Sequence, residues 1–246
     1  MIERRTKLPA EGNHRTAGPW AALFTLLVIA SGLLVGRYVR LMPPIASEEA
    51  VMVDGLFRTM LGIAAAVFLL VLGSLLYAVF RFRKRPGHQG EGIPIHGSNR
   101  LEFAWTFMPA LIVFWLAAYS SQILLQLRDD GENALHVNVI ARQFVWQFEY
   151  PEFGIVSTDL HVPADRPVRL ELLSQDVIHS FWVPAFRIKQ DAFPQRSTLV
   201  SFTANRLGEY PVVCAELCGA GHAVMRSTVV VHEPADFTRW VEEQGG

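Results

Sequence analysis

Apolar residues are concentrated in three stretches without charged side chains, and each stretch is long enough to cross a membrane as a helix. These stretches are residues 16–36, 59–80 and 103–127, and about 20 apolar residues span the hydrocarbon core of a bilayer. When the residues that flank the apolar stretches are included, the predicted transmembrane spans are 16–36, 56–81 and 102–127. The pattern therefore predicts a helical hairpin preceded by an extra N-terminal span.

After Gly131 the periodicity changes from helical to alternating. Alternation of apolar and polar residues is typical of strands with one buried face. The strand-like segments are residues 135–141, 144–150, 168–173, 199–203, 210–213 and 227–231. Six or seven short strands separated by proline and glycine turns predict an all-β Greek-key sandwich over residues 131–233. A C-terminal tail with a short helix is predicted at 234–246.

Basic side chains flank the spans unevenly. Residues 1–15 carry four and residues 81–100 carry five, whereas the loop 37–58 balances three basic against three acidic groups. Because basic segments stay in the cytoplasm, residues 1–15 are predicted to form a cytoplasmic tail. The sandwich then lies on the outer, periplasmic side of a multi-pass membrane protein. Alternatively, the first span is a signal peptide that is removed.

Composition agrees with a membrane protein. The 246 residues are 51% hydrophobic and 18% charged, with a mean hydropathy of +0.25, which excludes a purely soluble or disordered chain. The net charge of −1 gives no polycationic signal for nucleic acid. Residues 1–127 carry 12 basic and 7 acidic groups, a net charge of +5, and residues 128–246 carry 10 and 16, a net charge of −6. The two halves therefore face different partners.

Four potential metal ligands lie within twelve residues between two predicted strands: Cys214, Cys218, His222 and Met225. Thiolate, thioether and imidazole together form a donor set that suits copper, whereas structural zinc sites do not normally use methionine. A disulfide between the two cysteines is the alternative in an oxidising compartment. Such a bridge would leave His222 and Met225 without a role, so the segment predicts a copper site.

The number of ligands in this segment does not match a single blue-copper ion, which uses one cysteine and two histidines. Two thiolates suggest two copper ions that share them, and we expect the missing imidazole from His179. Asp176 is placed to orient that imidazole. The other histidines are expected to be cytoplasmic by topology or to be solvated strand and loop residues: His14, His88 and His96 in the first group, His136, His161 and His232 in the second.

Three separated motifs together resemble subunit II of haem-copper cytochrome c oxidases. They are the spacing C-x-E-x-C-x-x-x-H-x-x-M over 214–225, the upstream pair of segments 176–181 and 189–194 taken together, and the segment 96–106. The resemblance covers roughly residues 55–232. It implies a cupredoxin-like fold for the sandwich and a dinuclear copper centre, called CuA, that relays electrons.

The resemblance also implies six copper ligands. They would be two bridging cysteines, two terminal histidines, one weak methionine and one backbone carbonyl: Cys214 and Cys218, His179 and His222, Met225, and the carbonyl of Glu216.

Two carboxylates acquire roles only through the resemblance. The Glu216 side chain would bind Mg²⁺ or Mn²⁺ at the boundary with subunit I, a role that suits carboxylate oxygen; the alternative is a solvated loop glutamate. Glu102, at the start of the last span, would lie at the entrance of a proton path in subunit I. A carboxylate at a helix N-terminus is also simply stabilising.

Relatives in this family carry a Gln-Trp-Tyr-Trp run whose first tryptophan is implicated in receiving electrons from cytochrome c. Here the run is Gln143 to Trp146, with Phe144 in place of that tryptophan. Trp146 is expected on the same face of the strand, two residues on. The replacement leaves open a donor other than cytochrome c, although the acidic sandwich would attract a basic donor.

The sequence therefore predicts the subunit through which electrons enter a respiratory terminal oxidase in a bacterial plasma membrane. It would take electrons from cytochrome c at CuA and pass them to haem in subunit I, where O₂ is reduced to water with proton pumping. Subunits I and III and the lipid bilayer are the expected partners. No C-x-x-C-H motif for covalent haem occurs, and no catalytic residue is expected in this chain. The alternatives are a CuA subunit of a nitric oxide reductase, an oxidase with another donor, and a membrane-tethered copper delivery or sensing protein.

Overall fold

The computed structural model describes residues 17–83, 97–127 and 133–245, and side chains from residue 22 onwards. The cytoplasmic tail predicted at 1–15, most of the basic loop with His88 and His96, and the start of the outer domain at 131 lie outside the described residues. The described residues form four α-helices: α1 (Ala17–Tyr38), α2 (Glu48–Phe82), α3 (Asn99–Gln126) and α4 (Pro234–Gly245). Among the described residues, α2 and α3 are long and apolar enough to cross a membrane, and α1 has a shorter apolar part.

Helices α1 and α2 approach each other closely through glycines. A Cβ atom on Gly32 would lie 2.7 Å from the Gly62 carbonyl oxygen and 2.8 Å from Ala66 Cβ. A Cβ on Gly36 would lie 2.8 Å from the Arg58 carbonyl oxygen. Small residues let helix backbones come this close in membranes. Gly32 and Gly36 therefore serve the packing of α1 against α2.

Within residues 133–245, ten strands build two packed sheets. The strands are β1 (Leu135–Arg142), β2 (Val145–Tyr150), β3 (Ile155–Ser157), β4 (Leu160–Pro163), β5 (Pro167–Ser174), β6 (His179–Val183), β7 (Ile188–Ala192), β8 (Thr198–Thr203), β9 (Gly208–Cys214) and β10 (Arg226–His232). One sheet has the order β3-β2-β1-β5-β8 and the other β4-β10-β9-β6-β7. The pairs β1 with β5 and β4 with β10 are parallel, and the other neighbours are antiparallel. The predicted sandwich is confirmed.

The core lies between the two sheets. Along β1 every second residue is buried, beginning at Leu135, and the large buried rings of Trp146, Phe148 and Phe181 pack edge to face. Edge-to-face packing is favourable for aromatic pairs. Burial of this apolar surface is the main force that holds the sandwich together.

Four strands were not picked out from the sequence: β3, β4, β6 and β7. The first two have three and four residues, too few to reveal an alternating pattern. In β6 every residue except Trp182 is buried, so polar and apolar positions do not alternate. Both its histidine and its serine lie inside the protein.

Helix α2 begins at Glu48, ahead of the predicted span at 56. The preceding segment is attached to the sandwich: the Ala46 N–H donates to the Ala185 carbonyl at 3.1 Å, and the Ser47 hydroxyl donates to the Phe186 carbonyl at 3.1 Å. The first turns of α2 therefore extend beyond the apolar segment because they are part of the folded outer unit.

His161 and His232 are strand residues, as expected, but their rings are partly buried against other side chains and are not freely solvated. His161 Nδ1 lies 2.8 Å from His232 Nε2, and the Trp240 ring of α4 stacks on His161 with 4.2 Å between ring centroids. Burial, reinforced by the neighbouring His232, lowers the pKa of His161 to about 4. Burial also lowers the pKa of His232. The pair is a neutral, packed contact between the sandwich and α4.

Candidate metal centre

The predicted copper ligands converge at one end of the second sheet. His179 is the first residue of β6 and Cys214 is the last of β9. These strands are antiparallel, with Phe181 opposite Cys214, so the start of β6 lies beside the end of β9. The loop from β9 to β10 then folds back over this end and brings the remaining ligands with it.

Distances within the cluster describe a compact group of donor atoms. Cys214 Sγ and Cys218 Sγ are 3.8 Å apart. His179 Nδ1 lies 3.9 Å from Cys214 Sγ, and His222 Nδ1 lies 3.7 Å from Cys218 Sγ. The two thiols therefore stand in the middle, with one imidazole nitrogen at each side.

Two further donors complete the group. Met225 Sδ is 3.8 Å from Cys218 Sγ, and the Glu216 carbonyl oxygen is 3.3 Å from Cys214 Sγ. The ligand atoms of His179, Cys214 and Cys218 all lie within 4.8 Å of one another. All six residues predicted to supply copper ligands are thus brought together.

Four of the six proposed ligand residues are shielded from solvent, and His222 is half-buried. His179 and Met225 are fully buried, and the two cysteines are nearly so. Both cysteines are free thiols, so the disulfide alternative is absent from this structure. Burial, followed by the neighbouring Cys214, raises the pKa of the Cys218 thiol to about 11. Two adjacent buried thiols would ionise readily only beside a cation, as metal ligands do.

Asp176 determines which nitrogen of His179 faces the thiols. Its Oδ1 lies 2.8 Å from His179 Nε2, and because a carboxylate only accepts, Nε2 carries the proton and Nδ1 keeps a free lone pair. Desolvation pushes the pKa of Asp176 upward, but the hydrogen bonds from His179 and from two backbone N–H groups outweigh it and lower this pKa to about 2. The carboxylate is therefore charged at neutral pH.

The donor chemistry fits copper. Two thiols, two imidazole nitrogens, a thioether and a carbonyl oxygen are soft and intermediate donors that copper prefers. Each thiol has one imidazole nitrogen beside it, an arrangement that is compatible with a pair of ions. The site needs no cleft for a substrate, since its donors face one another inside the protein.

The sequence predicts that Phe144 and Trp146 share a face of the strand, but they do not, because Phe144 lies in the turn before β2 begins at Val145. Phe144 lies in the turn between β1 and β2 and is 37% exposed, whereas Trp146 is fully buried. The Trp146 ring contacts the His179 ring edge to face, with 6.1 Å between centroids. Only Phe144 of this pair is open to a partner.

The two carboxylates named from the resemblance are both exposed. Glu216 lies in the loop after β9, and Glu102 lies in the first turn of α3. One contributor was missed from the sequence: the Gln143 side chain donates to the Cys218 carbonyl at 2.6 Å. Its only sequence signal is its place next to Phe144.

Comparison with known proteins agrees with this geometry. The family model for the transmembrane domain of cytochrome c oxidase subunit II matches residues 36–123, and the model for its periplasmic domain matches residues 155–233. Cytochrome c oxidase subunit 2 of Thermostichus vulcanus is 38% identical over 91% of this chain and 84% of its own length. The Synechocystis protein is 38% identical over 89% of this chain and 80% of its own length.

Among solved structures, the periplasmic domain of subunit II of the Bradyrhizobium japonicum cytochrome oxidase is 30% identical, with a TM-score of 0.44. It is matched over 96% of its length and covers 47% of this chain.

The two family models, the two relatives and the buried thiol and imidazole cluster define a copper-domain subunit of a haem-copper oxidase. The chain belongs to the cytochrome c oxidase subunit II family. It is a membrane protein with its copper domain on the outer side, and it is the subunit through which electrons enter an oxidoreductase complex that contains subunit I. Family membership favours the oxidase over the nitric oxide reductase and copper-delivery alternatives.

Proposed function

We propose that this chain accepts single electrons from cytochrome c at a dinuclear copper centre and passes them to haem in subunit I. There, O₂ would be reduced to water with proton pumping. The observation that carries the proposal is the pair of buried thiols, 3.8 Å apart, with an imidazole nitrogen beside each. A donor arrangement of this kind serves electron relay because it leaves no position for a substrate.

Six residues would hold the copper pair. Cys214 and Cys218 would be shared by both ions, and His179 and His222 would bind through Nδ1, one at each side. Met225 and the Glu216 carbonyl would be weaker ligands. When bound, such a pair supplies a one-electron carrier whose charge is spread over two ions, so that little reorganisation accompanies each transfer.

This chain's own residues provide the rigid cage. The antiparallel pairing of β6 and β9 holds His179 beside Cys214, and Asp176 keeps the imidazole in one tautomer. The buried rings of Trp146 and Phe181 exclude water behind His179. A dry, preorganised site supports fast electron transfer because its dipoles do not need to move.

Electrons would enter near Phe144. This ring covers the loop between β9 and β10, residues 215–225, which we call the ligand loop. The same loop carries Leu217 and Val224, whose side chains are 79% and 76% exposed. An apolar patch of this kind suits a transient redox partner. The net charge of −6 in residues 128–246 would steer a basic cytochrome c towards it, and the association would weaken with salt.

The two exposed carboxylates fit roles at the boundary with subunit I. Glu216 has its carbonyl beside Cys214 while its carboxylate faces outward, so it could bind Mg²⁺ or Mn²⁺ together with subunit I. Glu102 lies at the opposite end of α3 from the sandwich, where it would mark the entrance of a proton path. Subunit III would complete the complex.

The proposed topology has three spans, with the N-terminus in the cytoplasm and both ends of the α2–α3 hairpin outside. Support comes from the length and apolar character of α2 and α3 and from the basic residues in 1–15 and 81–100. Single cysteines introduced at Thr6 and at Ser157 of a Cys214→Ser, Cys218→Ser chain would test it. A membrane-impermeant thiol reagent added to whole cells should label the second position only; equal labelling of both would contradict the topology.

The electron-transfer proposal can be tested in the oxidase complex that contains this chain. Mixing it with reduced cytochrome c in a stopped-flow spectrometer should show copper reduction first and haem reduction second. Cys218→Ser should slow haem reduction by at least about 100-fold, which corresponds to roughly 2.7 kcal/mol of activation free energy. Gln147→Met, in β2 away from the cluster, should not. Haem reduction at an unchanged rate in Cys218→Ser would contradict the proposal.

A further inference from the structure

The turn between β1 and β2 contacts both chain segments that carry the proposed copper ligands. The backbone N–H of Gln143 donates to Asp176 Oδ2 at 2.7 Å. Its side-chain amide donates from Nε2 to the Cys218 carbonyl at 2.6 Å. One residue therefore joins the segment that leads into β6 to the loop that follows β9.

Each end of this connection is close to a proposed ligand. Asp176 accepts from Gln143 through one oxygen and lies 2.8 Å from His179 Nε2 through the other. Cys218 is itself a proposed ligand, and a hydrogen bond to its carbonyl restrains the backbone from which Sγ projects. Both contacts therefore act on the relative placement of an imidazole and a thiol.

The loop is shaped to fit against this turn. A Cβ atom on Gly219 would lie 2.8 Å from Gln143 Nε2, and one on Gly221 would lie 2.4 Å from Phe144 Cδ2. Gly219 also has a φ of +134°, which favours glycine. Because no side chain fits at either position, the loop backbone packs directly on Gln143 and Phe144.

We infer that Gln143 is a positioning residue for the copper centre, in that its amide holds the Cys218 carbonyl while its backbone anchors the carboxylate that orients His179. This inference rests on the proposed copper function and deepens it. The hydrogen bonds of Gln143 go to Asp176 and to the Cys218 carbonyl and not to a proposed ligand atom, so its effect is on the spacing and rigidity of the cage. Groups that hold ligands in this way commonly change metal affinity by about 10- to 100-fold.

Two substitutions separate the side-chain hydrogen bond from the rest of the turn. Gln143→Met keeps the length of the side chain and removes the donor. Gln143→Glu keeps the shape and places an acceptor against the carbonyl, which should be at least as disruptive. Gln147→Met is the matched control, because Gln147 lies on the same hairpin and its amide donates to Glu149 at 3.0 Å, away from the cluster.

The experiment uses the full-length chain in detergent, loaded with copper. Three properties are measured for each variant: the electron paramagnetic resonance spectrum, the reduction potential, and the rate of copper release to a chelator. Both Gln143 variants should release copper about 10-fold faster and show a shifted potential and altered copper hyperfine splitting, while Gln147→Met should match the wild type. Faster copper release together with an altered electron paramagnetic resonance spectrum indicates a changed ligand cage. A weaker fold alone would not alter the spectrum of the bound copper.

Wild-type values for both Gln143 variants would overturn the inference, and so would equal changes in Gln147→Met, which would indicate general weakening of the hairpin. These outcomes leave the copper function intact. Failure of the wild-type chain to bind two copper ions would instead overturn the proposed function and this inference with it.

Discussion

Arg187 and Asp54 form a buried, two-point ion pair, with Nε 2.7 Å from Oδ1 and Nη2 3.1 Å from Oδ2. Arg187 follows β6 in the turn before β7, and Asp54 lies in the first turns of α2. The guanidinium also donates to the carbonyls of Pro184 and Pro43. The turn that follows β6, the strand that begins at His179, is therefore anchored to the first turns of α2.

Removing one partner of this pair should destabilise the outer unit. Asp54→Ala leaves the guanidinium buried without its counter-ion, and the expected loss is about 3 kcal/mol. Thermal unfolding of the full chain, followed by circular dichroism, should show a clear fall in Tm. Glu48→Ala, an exposed carboxylate in the same helix, should change Tm little. An equal, small effect of both substitutions would show that the pair is not an anchor.

A methyl group on the ligand loop should disturb the metal centre through Phe144. In Gly221→Ala the new Cβ would lie 2.4 Å from the Phe144 ring, so the loop or the ring must move. We expect at least about 10-fold weaker copper retention, in line with displaced supporting groups. Gly221→Ala combined with Phe144→Ala should recover much of it, because the ring is then gone. No recovery in the double variant would mean that the loop is disturbed for another reason.

Acid should weaken the contact between α4 and the sandwich. The pKa values of His161, at about 4, and of His232 are lowered by burial, although Asp159 and Asp236 act in the opposite direction. Below pH 6.5 the unfolded chain therefore binds more protons, so stability is complete above pH 6.5 and is lost as pH falls towards 4. We expect a loss of about 1 kcal/mol, since solvent screens these half-exposed rings.

Urea unfolding of the full chain at pH 7 and pH 5 measures this loss. His161→Phe keeps an aromatic ring for stacking on Trp240 and removes one titrating group, so the difference between the two pH values should shrink. A wild-type chain that is equally stable at both values would refute the assignment.

Replacing Met225 by leucine should shift the reduction potential at little cost to stability. Its thioether is fully buried and lies 3.8 Å from Cys218 Sγ. Met225→Leu conserves volume and is expected to cost less than about 1.5 kcal/mol of stability, yet it removes the weak ligand that tunes a copper site. Voltammetry of the copper-loaded chain should show a shifted potential, with copper content unchanged. Met52→Leu is the matched control, and the same potential in all three proteins would remove Met225 from the ligand set.

The ligand loop could be predicted because its donors lie close together in the chain. His179, 35 residues before Cys214, was found because the loop lacked an imidazole and because its surroundings resemble a known family. The two sheets could also be predicted, since six strands alternate clearly.

Contacts between distant residues could not be predicted in the same way. Gln143 and Cys218 are 75 residues apart, and Arg187 and Asp54 are 133 apart. A hydrogen bond between a side-chain amide and a distant carbonyl leaves no pattern in the sequence. A charged residue in a turn is usually solvated, so the burial of Arg187 was not expected. The contact between His161 and His232 was not predicted because Trp240, which stacks on His161, belongs to α4. The alternating pattern of the strands does not show where that helix packs.

Copper quantitation combined with electron paramagnetic resonance on the full-length chain tests the central claim most directly. We expect two copper ions per chain that share one unpaired electron, and the loss of this signal in Cys214→Ser and Cys218→Ser. One copper ion with an ordinary four-line spectrum, or a single ion without a signal in oxidising buffer, would contradict it.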